Sequence, residues 1–407
     1  GRTSRPWHPP AAGWCPAPGR YEVRAWARVE GASSAKPKHL ASGALDWAAR
    51  ETAAAVIGQK LIVSNRCEHL GFDLGTGRRL WHHRQSGSSG PRPWPPMPGR
   101  PVPGLGRVFI RRQARVKPEL ACLDPADGRL LWSSTASDYV ASDALCVGRA
   151  VCALSVDRTE GQKVTVLLTR FDPGSGRPLR QAPLVEFRDF LDRLVPCQAV
   201  VADDKILATV GGTVLCCELP GRVRWLRRGV WIATRGRSLN DWRPWLVQVH
   251  TPPLVAGDRV YVTQPGTWCV ECLDLHTGRL VWRTTLSDLA GLAGLVQDRL
   301  IARTDRGLVA LDPQSGAVLW RHEAEGMLEA LLCGPPGGIL FARRRPSKDP
   351  GRKEPEVALV WLDPATGRVK GESTLEVPNR AKPLLGPLVA DGKRLWALFG
   401  AAGDTAR

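Results

Sequence analysis

A chain of 407 residues is too long for one simple core, so its length implies two or three domains or one repetitive architecture. Hydrophobic residues at 43% and charged residues at 24% exclude wholesale disorder. No apolar run approaches the roughly 18 residues that a membrane-spanning helix needs. The formal charge of +18 comes mostly from Arg spread along the whole length, which gives generic attraction to acidic surfaces and not a dedicated nucleic-acid site.

The start at Gly1, without Met and without a charged-then-apolar leader, reads as a processed chain or a fragment. The 11 Cys are an odd number in a chain too large to need disulfide staples, so at least one thiol is unpaired within the chain. Residues 1–50 are expected to form a partly irregular N-terminal segment. Within it, 21–29 alternates apolar and polar residues and is able to supply a blade-closing strand.

From residue 51 two hairpin signals alternate. The first is apolar, then a Gly/Asp-rich pair, then apolar again, at 56–63, 102–110, 145–154, 200–207, 254–262, 295–301, 331–341 and 388–398. The second is an apolar strand followed by Asp, three residues, Gly, three residues and Trp. It is intact at Asp73, Gly77, Trp81; Asp124, Gly128, Trp132; Asp274, Gly278, Trp282; and Asp312, Gly316, Trp320. Asp172 and Gly176 lead instead to Arg180, Asp363 and Gly367 lead to Gly371, and Gly221 and Trp225 follow Cys217 where Asp belongs. The glycines recur with a mean period of about 48 residues, within the range of propeller blades.

In 123–132 alternating apolar strands flank Asp-Pro-Ala-Asp-Gly, where Pro125 presets the turn and Gly128 supplies the left-handed residue. Two hairpins make a four-stranded antiparallel blade, and blades set radially bury both faces while leaving only short edges. The fold class is therefore an all-β propeller over 51–400 with a tail at 401–407. Eight blades are expected, with seven as the alternative, because the hairpin at 388–398 has no second half.

The Leu-Asp-x-x-Thr/Ser-Gly-Arg-x-x-Trp phrase resembles the tryptophan-docking repeat of the pyrroloquinoline-quinone (PQQ)-like β-propellers. That superfamily includes quinoprotein alcohol dehydrogenases and the propeller lipoprotein of outer-membrane assembly. The resemblance implies that Trp81, Trp132, Trp225, Trp282 and Trp320 stack on the Gly turn of the next repeat as a girdle. Arg180 and Gly371 depart from it and imply two weaker seams. It also points to the cell envelope or periplasm.

Some quinoproteins of this fold carry a vicinal Cys pair against the cofactor. Here Cys216-Cys217 falls inside a strand at 213–219, so the two side chains face opposite ways as core fillers, like Cys122 and Cys272. Cys269 and Cys272 are likewise split across a strand, with no second pair at zinc spacing. His82-His83 reads as a solvated strand end. A short amphipathic helix is expected at 185–194, through Phe187, Phe190, Leu191 and Leu194. Residues 226–248 join Arg227, Arg228, Trp231, Arg235, Trp242 and Trp245, a combination typical of interface anchors. Residues 343–353, with Arg343, Arg344, Arg345, Lys348, Arg352 and Lys353, read as a solvated loop.

No P-loop, nucleophile elbow or zinc-helix motif is present. The favoured reading is a non-catalytic scaffold that presents a loop-rich face to a protein or peptide partner. The alternative is a PQQ-dependent dehydrogenase oxidising an alcohol or sugar with PQQ and calcium. It would need Glu, Asn and Asp to converge, and only three Asn exist, Asn65, Asn240 and Asn379, none in a matching phrase. A sensor module of a larger protein is the third possibility.

Overall fold

The computed structural model describes residues 53–64, 68–84, 99–114, 117–159, 163–188, 195, 197–229, 251–264, 267–324, 327–334, 338–345, 356–375, 384–390 and 395–400. Every described element is a β-strand. The strands form seven four-stranded antiparallel meanders, blades 1 to 7, at 53–84, 102–134, 145–187, 197–227, 254–285, 289–323 and 327–375. Blade 3 gains a short extra strand, Tyr139–Val140, paired with Ser155 and Val156.

The hairpin Leu384–Ala390 with Leu395–Gly400 is a two-stranded sheet. Seven complete blades thus stand where eight were expected. The first strand of this hairpin lies against the first strands of blades 7 and 1. The segment at 21–29, expected to complete it, lies outside the described residues.

The first strands of blades 1 and 2, 2 and 3, 3 and 4, 5 and 6, and 6 and 7 are neighbours, so the meanders run outward from the ring axis. The first hairpins of blades 1 to 6 turn in two residues, with positive φ at Gly58, Leu105, Gly106, Gly148, Asp203, Gly257, Gln297 and Asp298, as the twist of paired strands requires. Except in blade 4, where Gly221 N bonds Glu218 O, the second hairpins turn on Asp. In blade 1 the Asp73 carboxylate accepts from Thr76 N and Oγ1 at 2.7 and 2.8 Å, and Gly77 N donates to Asp73 O at 2.8 Å. The same backbone closure recurs at Asp124, Asp172, Asp274, Asp312 and Asp363.

The core is divided among the seams between blades. Residues of the third strand alternate between the two flanking seams. Leu273 packs with Trp225 and Val260 toward blade 4, and Cys272 packs with Trp282 and Leu289 toward blade 6. Each blade therefore completes its core only with its neighbours.

One regularity escaped the sequence reading. In each of the seven blades the outer strand carries a bulge at the residue before the Trp position. Cys272 pairs with Trp282 and Leu273 with Leu280, so Val281 is the extra residue. A one-residue change of register moves side chains to the other face, so the bulge sets which way the Trp points. Val281 itself is 41% exposed. Val281→Ala is predicted to change stability by less than about 0.5 kcal/mol, and deletion of Val281 to cost more than about 3 kcal/mol, read by urea unfolding.

Candidate functional site: blade seams and basic segments

Five seams share one geometry. Trp81 Nε1 donates to Pro125 O at 3.2 Å, Trp132 to Pro173 O at 2.9 Å, Trp225 to Leu275 O at 2.8 Å, Trp282 to Pro313 O at 3.0 Å and Trp320 to Pro364 O at 2.8 Å. Every acceptor is the residue after the turn Asp of the next blade. The indoles lie between 7% and 9% exposed, over Gly128, Gly176, Gly278, Gly316 and Gly367. A Cβ on any of these glycines would overlap the ring. Opposite each Trp on its own blade stands a small residue: Gly71, Cys122, Cys216, Cys272 or Ala310. The ring is thus held between a small residue and a bare turn, with its one polar atom bonded.

The cysteines follow from this. Cys216 packs beside Trp225 in the seam toward blade 5, and Cys217 beside Leu154 and Leu215 in the seam toward blade 3. The pair faces opposite ways, so it does not fit the vicinal pair that the resemblance attaches to a quinone, and no chemical step is derived through that cofactor. Burial pushes both thiols up, Cys216 to about 11 and Cys217 to about 12, so they are protonated at neutral pH. Among the described residues no group of three or more His, Cys, Asp or Glu is placed to hold a metal ion.

Two positions lack the Trp. In blade 7 the pair is reversed, with buried Trp361 on the third strand opposite Gly371 on the fourth. In blade 3 Arg180 stands opposite Arg170, and both are exposed. The Gly221 turn of blade 4 docks two residues further along, against Ala182. This seam has a broad aliphatic core instead, including Leu154, Val166, Leu168, Ile206 and Leu215, and Val195 N donates to Tyr139 Oη at 2.8 Å.

The basic segments resolve differently from the sequence reading. Arg227 belongs to the outer strand of blade 4 and donates to Glu271 of blade 5 at 3.2 and 3.3 Å. Glu271 is 1% exposed and also accepts from Arg283 Nε at 2.8 Å and Gln264 Nε2 at 3.3 Å. Burial alone raises its pKa, but the Arg227 and Arg283 bonds outweigh it and hold the carboxyl below its usual range. Arg228 is exposed, while Trp231, Arg235, Trp242 and Trp245 lie outside the described residues.

Arg343–Arg345 are strand, not loop. They close Gly338–Arg345, where Arg343 pairs with Glu372 at 2.6 Å and Arg345 with Glu356 at 3.3 Å. The helix expected at 185–194 is also corrected, because Val185–Phe187 end the strand Pro178–Phe187, paired with Val166 and Val164. Residues 189–194 lie outside the described residues. The polar clusters at Glu271 and His69 were missed because their partners are set by strand register and blade contact, which the sequence does not display.

The profile of the outer membrane protein assembly factor BamB matches residues 69–263 and 163–327. The chain belongs to this family of PQQ-like β-propellers. BamB from Moraxella catarrhalis superposes with a TM-score of 0.56 at 17% identity, covering 86% of this chain and 93% of that one. The computationally designed Ika8 protein gives 0.57 at 12% identity, with the same coverage of 86% and 93%. These likenesses describe the fold. The serine/threonine-protein kinase AfsK of Streptomyces coelicolor is 35% identical over 111 residues, 26% of this chain and 13% of that kinase.

The seam between blades 1 and 2 of this BamB-like propeller holds a polar cluster. Fully buried His69 pairs with Ser64 Oγ through Nδ1 at 2.9 Å and stacks on His83 with centroids 6.0 Å apart. His83 Nε2 meets Arg112 Nη1 at 3.3 Å, and Arg112 Nε donates to Glu119 at 2.6 Å. Burial first, then His83, Arg112 and His82, push the His69 pKa down to about 3. Below pH 6.5 the unfolded chain therefore binds a proton that the folded one refuses, and stability falls as pH falls toward 3. Going from about pH 7 to about pH 5, His69 is predicted to remove about 2 kcal/mol of stability, a loss that His69→Gln abolishes in urea unfolding.

Proposed function

We propose that this propeller is a protein-binding scaffold module that engages its partner through the loop-rich face containing residues 226–248. The observation that carries the reading is where the chemistry-bearing side chains sit. Cys216, Cys217, Cys272, His69 and Glu271 are all buried, and all are committed to holding blades together. Membership of the BamB family supports the same class of role, since the matching profile describes an assembly factor. Arg228 starts a stretch that adds Trp231, Arg235, Trp242 and Trp245, and Trp and Arg are the residues that dominate binding energy at interfaces.

A second reading has one observation in its favour. The identity shared with a segment of a serine/threonine-protein kinase supports a propeller that serves as the binding module of a larger signalling protein. Both readings predict protein binding.

The test is affinity capture with the purified chain and with a Trp231→Ala, Trp242→Ala, Trp245→Ala variant of equal thermal stability. A partner retained by the parent and lost by the variant is expected, a drop of more than about tenfold in recovery. Equal recovery overturns the assignment to 226–248. A thermal shift with PQQ and calcium, accompanied by dye-linked alcohol oxidation, overturns the scaffold reading.

A further inference from the structure

The seam between blades 3 and 4 carries an arrangement found in none of the five Trp seams. Where those place an indole opposite Gly, Cys or Ala, blade 3 places Arg180 opposite Arg170. Like charges directly opposite on neighbouring strands destabilise a sheet. Among the described residues neither arginine has a hydrogen bond or ion pair, and both are exposed. Arg170 also pairs across with Cys152, whose side chain lies in the core shared with blade 4, so this arginine is on the blade 4 side.

The Gly221 turn of blade 4 presses against Ala182, two residues beyond Arg180. Arg222 pairs across with Glu218, on the face away from Cys217 and Val223 of this seam. The nearby acids are committed elsewhere. Glu218 pairs with Arg224 at 3.4 Å, and the Asp172 carboxylate accepts from Gly174, Ser175 N and Ser175 Oγ in its own turn. Asp172 is accordingly held below its usual pKa by those Ser175 bonds, and it stays ionised without turning toward the arginines.

We propose that Arg170 and Arg180 form a rim site for an acidic peptide segment of the partner protein. The site occupies the space along the outer edge that an indole fills in the other seams. Guanidinium groups bind carboxylates through planar, two-point hydrogen bonding, so the Glu or Asp side chains of an acidic segment are suited to pair with the two arginines. The cost of the like-charge pair in the free protein is relieved on binding. The inference rests on the protein-binding reading above but uses residues outside 226–248.

The experiment measures binding of a fluorescein-labelled octa-glutamate peptide to the full chain by anisotropy at physiological salt. The comparison is an Arg170→Gln, Arg180→Gln variant and a control, Arg79→Gln, Arg279→Gln. The control removes two exposed arginines of Trp-filled seams and the same total charge. The rim variant is expected to weaken binding by more than about tenfold and the control by less than about twofold. Equal weakening by both assigns the binding to net charge and overturns the site. Tighter competition by a DNA oligonucleotide than by unlabelled octa-glutamate overturns the peptide assignment. Failure here with loss of capture on changing Trp231, Trp242 and Trp245 leaves the scaffold reading standing and removes only the rim site.

Discussion

An indole lying flat on a bare glycine turn is the contact on which this ring depends. A four-stranded blade has two apolar faces and too little bulk to bury either alone, so its stability is that of its seams. At five seams the outer strand sends a Trp across to the next blade, where its ring covers the turn glycine and its N–H bonds a carbonyl of that turn. A buried Trp is worth about 3–5 kcal/mol when truncated to Ala, and the bonded N–H adds about 1 kcal/mol. The bulge before the Trp, the Asp-pinned turn and the small residue on the third strand each serve this one placement. The bulge aims the ring, the turn presents its acceptor and glycine, and the small residue leaves room beneath it.

The seams differ in what they add. Between blades 4 and 5 the indole is joined by the ion cluster around Glu271, whose two arginines come from both blades. Between blades 1 and 2 it is joined by a histidine cluster that ties that seam to pH. Between blades 3 and 4 the indole is absent and an aliphatic core replaces it, which frees the outer edge for arginines. Among the described residues, Cys216, Cys217, His69 and Glu271 are thus all spent on the seams.

The architecture was legible because its signal is periodic. Asp, Gly and Trp at fixed offsets identify the turn and the outer strand, and strand alternation alone places Cys216 and Cys217 on opposite faces. The blade count was less legible, since a hairpin signal at 388–398 says nothing about whether partner strands complete a sheet. The helix expected at 185–194 failed because apolar residues spaced for a helix also fit the end of a long strand, and the pairing of Val185 and Phe187 with blade 3 decided it. Glu271, His69 and the Arg170–Arg180 pair were invisible for a different reason. Each owes its character to residues brought alongside by neighbouring strands or blades, and that pairing depends on strand register. Arg343–Arg345 looked like a loop because charge was read without the register that pairs Arg343 and Arg345 with Glu372 and Glu356.

The most direct test is a double-mutant cycle at one seam, with Trp225→Ala and Gly278→Ala made singly and together and followed by urea unfolding. If ring and turn act as one contact, the alanine methyl at 278 clashes only while the indole is there. Its cost is then predicted to shrink by more than about 1 kcal/mol in the Trp225→Ala background, leaving only the backbone penalty of φ +69. Additive costs, within about 0.3 kcal/mol, would show that the two residues stabilise the ring independently and would contradict the account.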